Sequence, residues 1–224
     1  MVCNVKNNEQ WTGTTLHELG HGVYDKNIDM QLPYYLRTPA HTFTTEAIAM
    51  IFGRLSTNPY WLRDNAGISD EESERIKQDV KNNLRLQQLV FSRWSQVMFR
   101  FEKSMYANPD QDLNKLWWDL VEKYQMIVKP EGRNMPDWAT KIHVALYPCY
   151  YHNYLLGELL ASQLYGYIAA NITDNQSFVG EKAVGTYLKE KIFLPGARYY
   201  WNDMIEKATG EKLTAKYYAK QFVQ

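Results

Sequence analysis

The 224-residue sequence is short of the features that announce several large classes of protein. It holds two cysteines, Cys3 and Cys149, with no C-x-x-C pair, so neither a disulfide framework nor a cysteine metal or redox motif is available. Charge of one sign is also missing. Lys+Arg and Asp+Glu both number 25, and a net charge of zero offers no electrostatic case for nucleic acid or a membrane surface as partner. The first residues, MVCNVKNNEQ, have neither a basic stretch nor an apolar one, so no signal peptide is expected within the chain. The most apolar run, 150–170, is interrupted by His152, Asn153, Glu158 and Gln163, which argues against a membrane span and for a soluble chain. Strand-like alternation is scarce, with residues 1–5 the only candidate. Repeats and low-complexity tracts are absent. These gaps leave one ordinary globular, all-α domain over residues 1–224.

What is abundant is helical periodicity and aromatic residues: 17 Tyr, 7 Trp and 8 Phe, most at positions where core packing is the simple explanation. Asn7 and Gln10 resemble a capping box opening a helix that runs to about Tyr24. Residues 27–43, with Pro33 and Pro39, read as a loop, and a second helix starts near Thr44. Ser69 and Glu72 form a second box before a long periodic segment that ends ahead of Pro109. A helix through Leu113–Tyr124 follows, then a turn-rich connector over 128–136. A helix is expected from Pro148 to Ala170, and shorter ones after Pro195 and Thr214.

The chemistry is concentrated at residues 17–21, HELGH. Positions i and i+4 share one helix face, so His17 and His21 present their imidazoles to a single zinc ion. Glu18 lies about 100° round the helix, beside the metal rather than on it. There it takes a proton from the attacking water and passes it to the leaving amine. Chance alone produces H-E-x-x-H in roughly one chain of this size in 200. A catalytic zinc needs a third protein ligand, and Glu46, in TTEAIAM, sits in the first turn of the next helix after a loop long enough to return it. Alone, Glu46 would be a solvated helix carboxylate. Gly20 and Gly22 would leave room for metal and substrate. A second cluster, KIHVALYPCYYHNY over 141–154, gathers His143, Tyr147, Tyr150, Tyr151, His152 and Tyr154. Each is singly a packing residue; together they are candidate donors to the oxyanion of amide hydrolysis or to substrate.

HELGHGVYD, PAHTFTTEAIAMIFGR, LWWDLVEKYQ, KIHVALYPCYYHNY and IEKATGEKLTAKYYAKQF, taken in order, resemble the catalytic half of the angiotensin-converting-enzyme (peptidyl-dipeptidase A) family. That family consists of zinc dipeptidyl carboxypeptidases. The stretch from His143 is also similar to the H-x4-P-x-Y-x-Y-x-Y element of the oligoendopeptidase F and thimet oligopeptidase group. The resemblance implies a helical zincin-type fold with one zinc per chain on His17, His21 and Glu46, with Glu18 as general base and acid. It implies His143 and a downstream tyrosine as donors, with Tyr151 and His152 near substrate. It places Lys141 on the C-terminal carboxylate of a short peptide. Tyr150 and Tyr154 fit the oligoendopeptidase spacing, whereas the converting-enzyme register moves the key position to His152 or Asn153. Family members often carry a carboxylate one turn after the third ligand; Met50 stands there, leaving Asp25 or Asp29 to orient a histidine. Members are also about twice this length, so the chain reads as a catalytic fragment of a longer enzyme that could be exported, and is open to completion by an N-terminal half or a second subunit. Three other readings follow from the same residues: an inactive zinc-binding helical module, an endopeptidase, and a structural helical protein without zinc.

Overall fold

The computed structural model describes residues 4–174 and 178–224, and the described residues are helical with no strand. Of the candidate strand at 1–5, Met1–Cys3 lie outside the described residues, and Asn4 and Val5 are irregular. Among the described residues ten α-helices follow one another: α1 (Glu9–Lys26), α2 (Thr42–Gly53), α3 (Pro59–Trp61), α4 (Asp70–Ala107), α5 (Leu113–Gln125), α6 (Ile142–Ala145), α7 (His152–Asn171), α8 (Lys182–Leu188), α9 (Trp201–Thr209) and α10 (Lys216–Phe222). Packing divides the chain into two compact units, one of Met1–Leu84 with Leu156–Gln224 and one of Arg85–Leu155. Among the described residues no helix is long and apolar enough to cross a membrane.

Several helix ends correct the expectations from sequence. Asn8, not Asn7, caps α1: its side-chain oxygen accepts the Trp11 N–H at 2.9 Å. His41 caps α2, where its imidazole accepts from Phe43 N–H while the Thr44 hydroxyl accepts the His41 N–H, the two halves of a capping box. Ser69 does cap α4, accepting the Glu72 N–H at 3.2 Å. The helix expected from Pro148 starts instead at His152. Cys149 adopts φ +56°, a left-handed turn incompatible with a continuing helix, and donates its N–H to the Glu102 carboxylate. Helix α8 has no side-chain hydrogen bond at its N-cap and contains Gly185. It forms because Val184, Tyr187 and Leu188 are buried.

In the first unit, Tyr24, Phe43, Ile48, Leu160, Ile192 and Met204 are among the fully buried side chains. Two buried polar groups tie its segments together. The fully buried Gln163 on α7 donates to the Thr209 hydroxyl and accepts the Thr214 N–H, anchoring the turn between α9 and α10. Arg54, just after α2, pairs with Glu158 on α7, and its guanidinium lies 5.3 Å from the Phe222 ring centre. The second unit is built on an aromatic core. Phe101 meets Trp117 and Trp94 meets Trp117 edge to face at 5.2 and 5.8 Å, with Val97, Met98, Val121 and Val144 between them.

What positions the candidate site is the crossing of α1 and α2. A Cβ built on Gly20 would fall 2.7 Å from the Ala49 Cα, and one on Gly53 would lie 3.5 Å from the His17 Cβ. Gly20 therefore serves backbone contact between helices and leaves no room beside a metal, which corrects its expected role. Gly22 faces open space, with nothing within 4 Å of where a methyl group would stand. Two substitutions separate these environments. Gly20→Ala is expected to lower unfolding free energy by about 1–3 kcal/mol through overpacking. Gly22→Ala is expected to raise it by about 0.5–1 kcal/mol through helix propensity. Urea unfolding of the two variants measures both; equal effects would contradict the crossing described.

Candidate metal centre

The sequence separates His21 from Glu46 by a 25-residue step, and the helix crossing closes it. Glu46 Oε2 lies 3.5 Å from His17 Nε2 and 3.8 Å from His21 Nε2. The two imidazoles meet edge to face with centres 4.9 Å apart. Among the described residues, the group of ligand-type side chains close enough to hold a metal is His17, His21 and Glu46, whose atoms all lie within 4.8 Å of one another. Tetrahedral zinc with bonds of ~2.1 Å sets its ligand atoms ~3.4 Å apart, so the three donors need to shift by well under an ångström to about one.

Burial adds an electrostatic reason for a cation. The Glu46 side chain is 4% exposed, and a carboxylate so far from water demands positive charge close by. His21 does not supply it near neutral pH. Burial, the largest influence on that imidazole, and the neighbouring His17 outweigh the pull of Glu46 and hold its pKa below the ordinary value. Two imidazoles and one carboxylate are a nitrogen and oxygen donor set suited to zinc.

The backbone of α7 runs close to the β-carbon of Glu46. A Cβ on Gly157 of α7 would stand 3.0 Å from the Glu46 Cβ and 3.1 Å from the Met50 Sδ. α7 thus passes Glu46 too closely to accept a side chain at position 157 without a shift. On the other side, His21 Nδ1 lies 2.7 Å from the Thr45 hydroxyl oxygen. Thr45, rather than Asp25 or Asp29, is thus the group in contact with His21 Nδ1. Thr45 escaped sequence reasoning, and its one signal was a hydroxyl directly before the third candidate ligand. Glu18 is half-buried on the turn between the histidines.

The second unit holds the other candidate residues. His143, on α6, has its Nε2 3.0 Å from the Tyr154 hydroxyl, and its ring packs on Tyr150, Tyr151 and Tyr154 at 6.1, 4.9 and 5.4 Å. Tyr147 is exposed. Tyr151, expected to meet substrate, is 9% exposed within the aromatic core, where its hydroxyl accepts the Trp94 indole N–H. His152 opens α7 and packs edge-on against Phe99. Lys141 places its ammonium 5.2 Å over the Trp94 ring. It borders a cleft of about 890 Å³ walled also by Trp117, Trp118, Arg133 and Asp137. Arg133 donates to the Asp137 carboxylate and holds its pKa below the usual range.

Comparison with known proteins agrees with this architecture. The family model described as peptidase M2, angiotensin-converting enzyme, matches residues 1–222. Thermostable carboxypeptidase 1 of Pyrococcus furiosus is 24% identical, over 92% of this chain and 46% of its own. The inactive angiotensin-converting enzyme-related protein of Caenorhabditis elegans is 29% identical, over 48% of this chain and 12% of its own. The M32 carboxypeptidase of Deinococcus radiodurans has the same fold, with a TM-score of 0.71 at 22% identity over 97% of this chain and 50% of that one. The chain spans about half the length of the Pyrococcus and Deinococcus proteins.

The depressed His21 pKa has a measurable consequence. The folded, metal-free protein binds its proton less readily than the unfolded chain, which titrates near 6.5. The unfolded state therefore carries more protons in the window just below 6.5, and stability falls as pH drops through it. Thermal unfolding of chelator-treated protein between pH 7.5 and 5 should show this loss, and His21→Gln should flatten the slope. An unchanged slope would remove His21 as its source.

Proposed function

Because the chain belongs to the peptidase M2 family, that of angiotensin-converting enzyme, we propose that it is a zinc-dependent peptidase acting near the C-terminus of short peptides. The observation that carries this reading is the convergence of His17, His21 and Glu46 within 4.8 Å around a buried carboxylate. When bound, zinc polarises the scissile carbonyl and makes water more acidic. The protein's own groups do the rest. His17 and His21 on α1 and Glu46 on α2 would hold the metal. Glu18, one residue past His17, points a different way from the same helix and is the proton carrier: it accepts a proton from the attacking water and returns it to the departing amine. A positioned general acid–base of this kind contributes about 10²–10⁴-fold in rate.

The finer assignment concerns what leaves. The resemblance to peptidyl-dipeptidases favours release of C-terminal dipeptides, and a lysine such as Lys141 is the type of group that pairs with a terminal carboxylate. The names of the Pyrococcus and Deinococcus proteins support action at the C-terminus without fixing the size of the product. The donor roles of His143, Tyr150 and Tyr154, and substrate contacts by Tyr151 and His152, rest on the resemblance of the His143–Tyr154 stretch and on the chemistry of those side chains. The core position of Tyr151 supports a structural contribution from that residue. A second reading is a zinc-binding helical module without turnover, and the similarity to a nematode protein named as inactive favours it.

Metal content and cleavage measured on one purified sample decide between them. Wild type should bind close to one zinc per chain, Glu46→Ala should lose it, and Glu18→Gln should keep it. Cleavage of an N-terminally blocked oligopeptide, followed by mass spectrometry, should release a C-terminal dipeptide. Glu18→Gln should lower that rate at least 100-fold. Zinc without any cleavage supports the inactive module, loss of single residues supports a conventional carboxypeptidase, and absence of stoichiometric zinc overturns the proposal.

A further inference from the structure

The first turn of α2 reaches both nitrogens of one imidazole. Thr45 Oγ1 lies 2.7 Å from His21 Nδ1, while the adjacent Glu46 Oε2 lies 3.8 Å from His21 Nε2. The first separation is that of a strong hydrogen bond; the second is too long for one. A neutral imidazole carries one N–H, and its location decides which nitrogen keeps a lone pair. If the proton sat on Nε2 it would face the carboxylate at 3.8 Å without a hydrogen bond, while the Thr45 hydroxyl donated to the Nδ1 lone pair. If it sits on Nδ1 it is bonded at 2.7 Å, and the Nε2 lone pair points at the space shared by His17 and Glu46.

We infer that Thr45 is a positioning residue: its hydroxyl accepts the His21 Nδ1–H and so presents the Nε2 lone pair to the metal before the metal arrives. The inference rests on the reading of His17, His21 and Glu46 as a zinc site. Thr45 does this as a neutral group. A carboxylate in its place would also accept the proton but would add a second negative charge beside Glu46, whose side chain is 4% exposed. Its setting also limits wandering. Thr45 follows Thr44, whose hydroxyl is fixed to the His41 carbonyl in the cap of α2, so the backbone that carries Thr45 is held at the helix start. β-branching restricts its χ1, which further narrows where the hydroxyl can point.

The test compares wild type, Thr45→Val and Thr45→Ser. Valine keeps the shape and removes the acceptor; serine keeps the acceptor. Zinc affinity measured by competition with a chromogenic chelator should fall 10–100-fold in Thr45→Val, the range for loss of such an outer partner, and should return to within a few-fold of wild type in Thr45→Ser. In metal-free wild type, long-range ¹H–¹⁵N spectra should show His21 as the Nδ1–H tautomer, a preference Thr45→Val should weaken. Thermal unfolding of the metal-free proteins shows that each variant folds; should the valine variant fail to, the wild-type tautomer and the serine affinity still decide. An Nε2–H tautomer in wild type, or a valine variant that binds zinc as tightly as a wild type with one zinc per chain, overturns the role of Thr45. Failure of wild type to bind zinc overturns the metal-site reading itself, and the positioning role with it.

Discussion

Two helices in this protein come together at glycine, and that approach determines almost everything at the candidate site. The contact at Gly20 leaves no space for even a methyl group against the Ala49 backbone, and the one at Gly53 seats α2 against the β-carbon of His17. Glycine in a helix interior costs roughly 0.5–1 kcal/mol relative to alanine. α1 carries three, at positions 13, 20 and 22, and on propensity alone would be a poor helix. Packing offsets that cost, and the same packing brings Glu46 against both histidines. A side chain at position 20 would overlap the Ala49 backbone and force the helices apart, whereas a methyl group at position 53 would meet His17 at ordinary contact distance.

The electrostatics of the centre follow from that packing. Helix α2 buries seven residues, and Glu46 is the one carboxylate among them. Burial lowers the affinity of His21 for a proton, which favours a free lone pair on that imidazole, and it sets the Glu46 carboxylate where nearby positive charge is stabilising. A metal held by such donors would be released on acidification, because protons compete for the same lone pairs. The hydroxyl of Thr45 adds direction without adding charge, whereas carboxylates at such positions would raise the basicity of the ring as well as orient it.

Much of this was legible from the residues, for identifiable physical reasons. His17 and His21 share a face whatever else the chain does, because helical spacing alone places i beside i+4. Glu46 could be reached from loop length and its place in a first helical turn. Thr45 could not: its partner is 24 residues away, and the contact exists only once the crossing of α1 and α2 is known. Gly20 and Gly22 look alike in sequence and have opposite surroundings, one against backbone and one in open space. The tyrosines after His143 look alike in sequence and differ in setting. Tyr151 and Tyr147 belong to the same cluster in sequence, yet one is in the core and the other is 54% exposed. Pro148 signalled a helix start that the left-handed backbone at Cys149 postpones to His152.

The absence of a carboxylate at Met50 is best understood together with Gly157 and Thr45. Met50 is 8% exposed, and its sulfur would lie 3.1 Å from a Cβ at Gly157, so it fills the space that the bare α7 backbone leaves beside α2. An aspartate there would be shorter, would leave part of that space empty, and would place a second buried negative charge one turn from Glu46. Each of those changes is unfavourable unless a further cation compensates. With methionine in place the volume is filled by a flexible apolar side chain. The orienting hydrogen bond then comes from the residue immediately before Glu46, on the side of the carboxylate that faces α1. Packing behind the third donor and hydrogen bonding in front of it are thus two halves of one arrangement, and changing either alone would disturb the other.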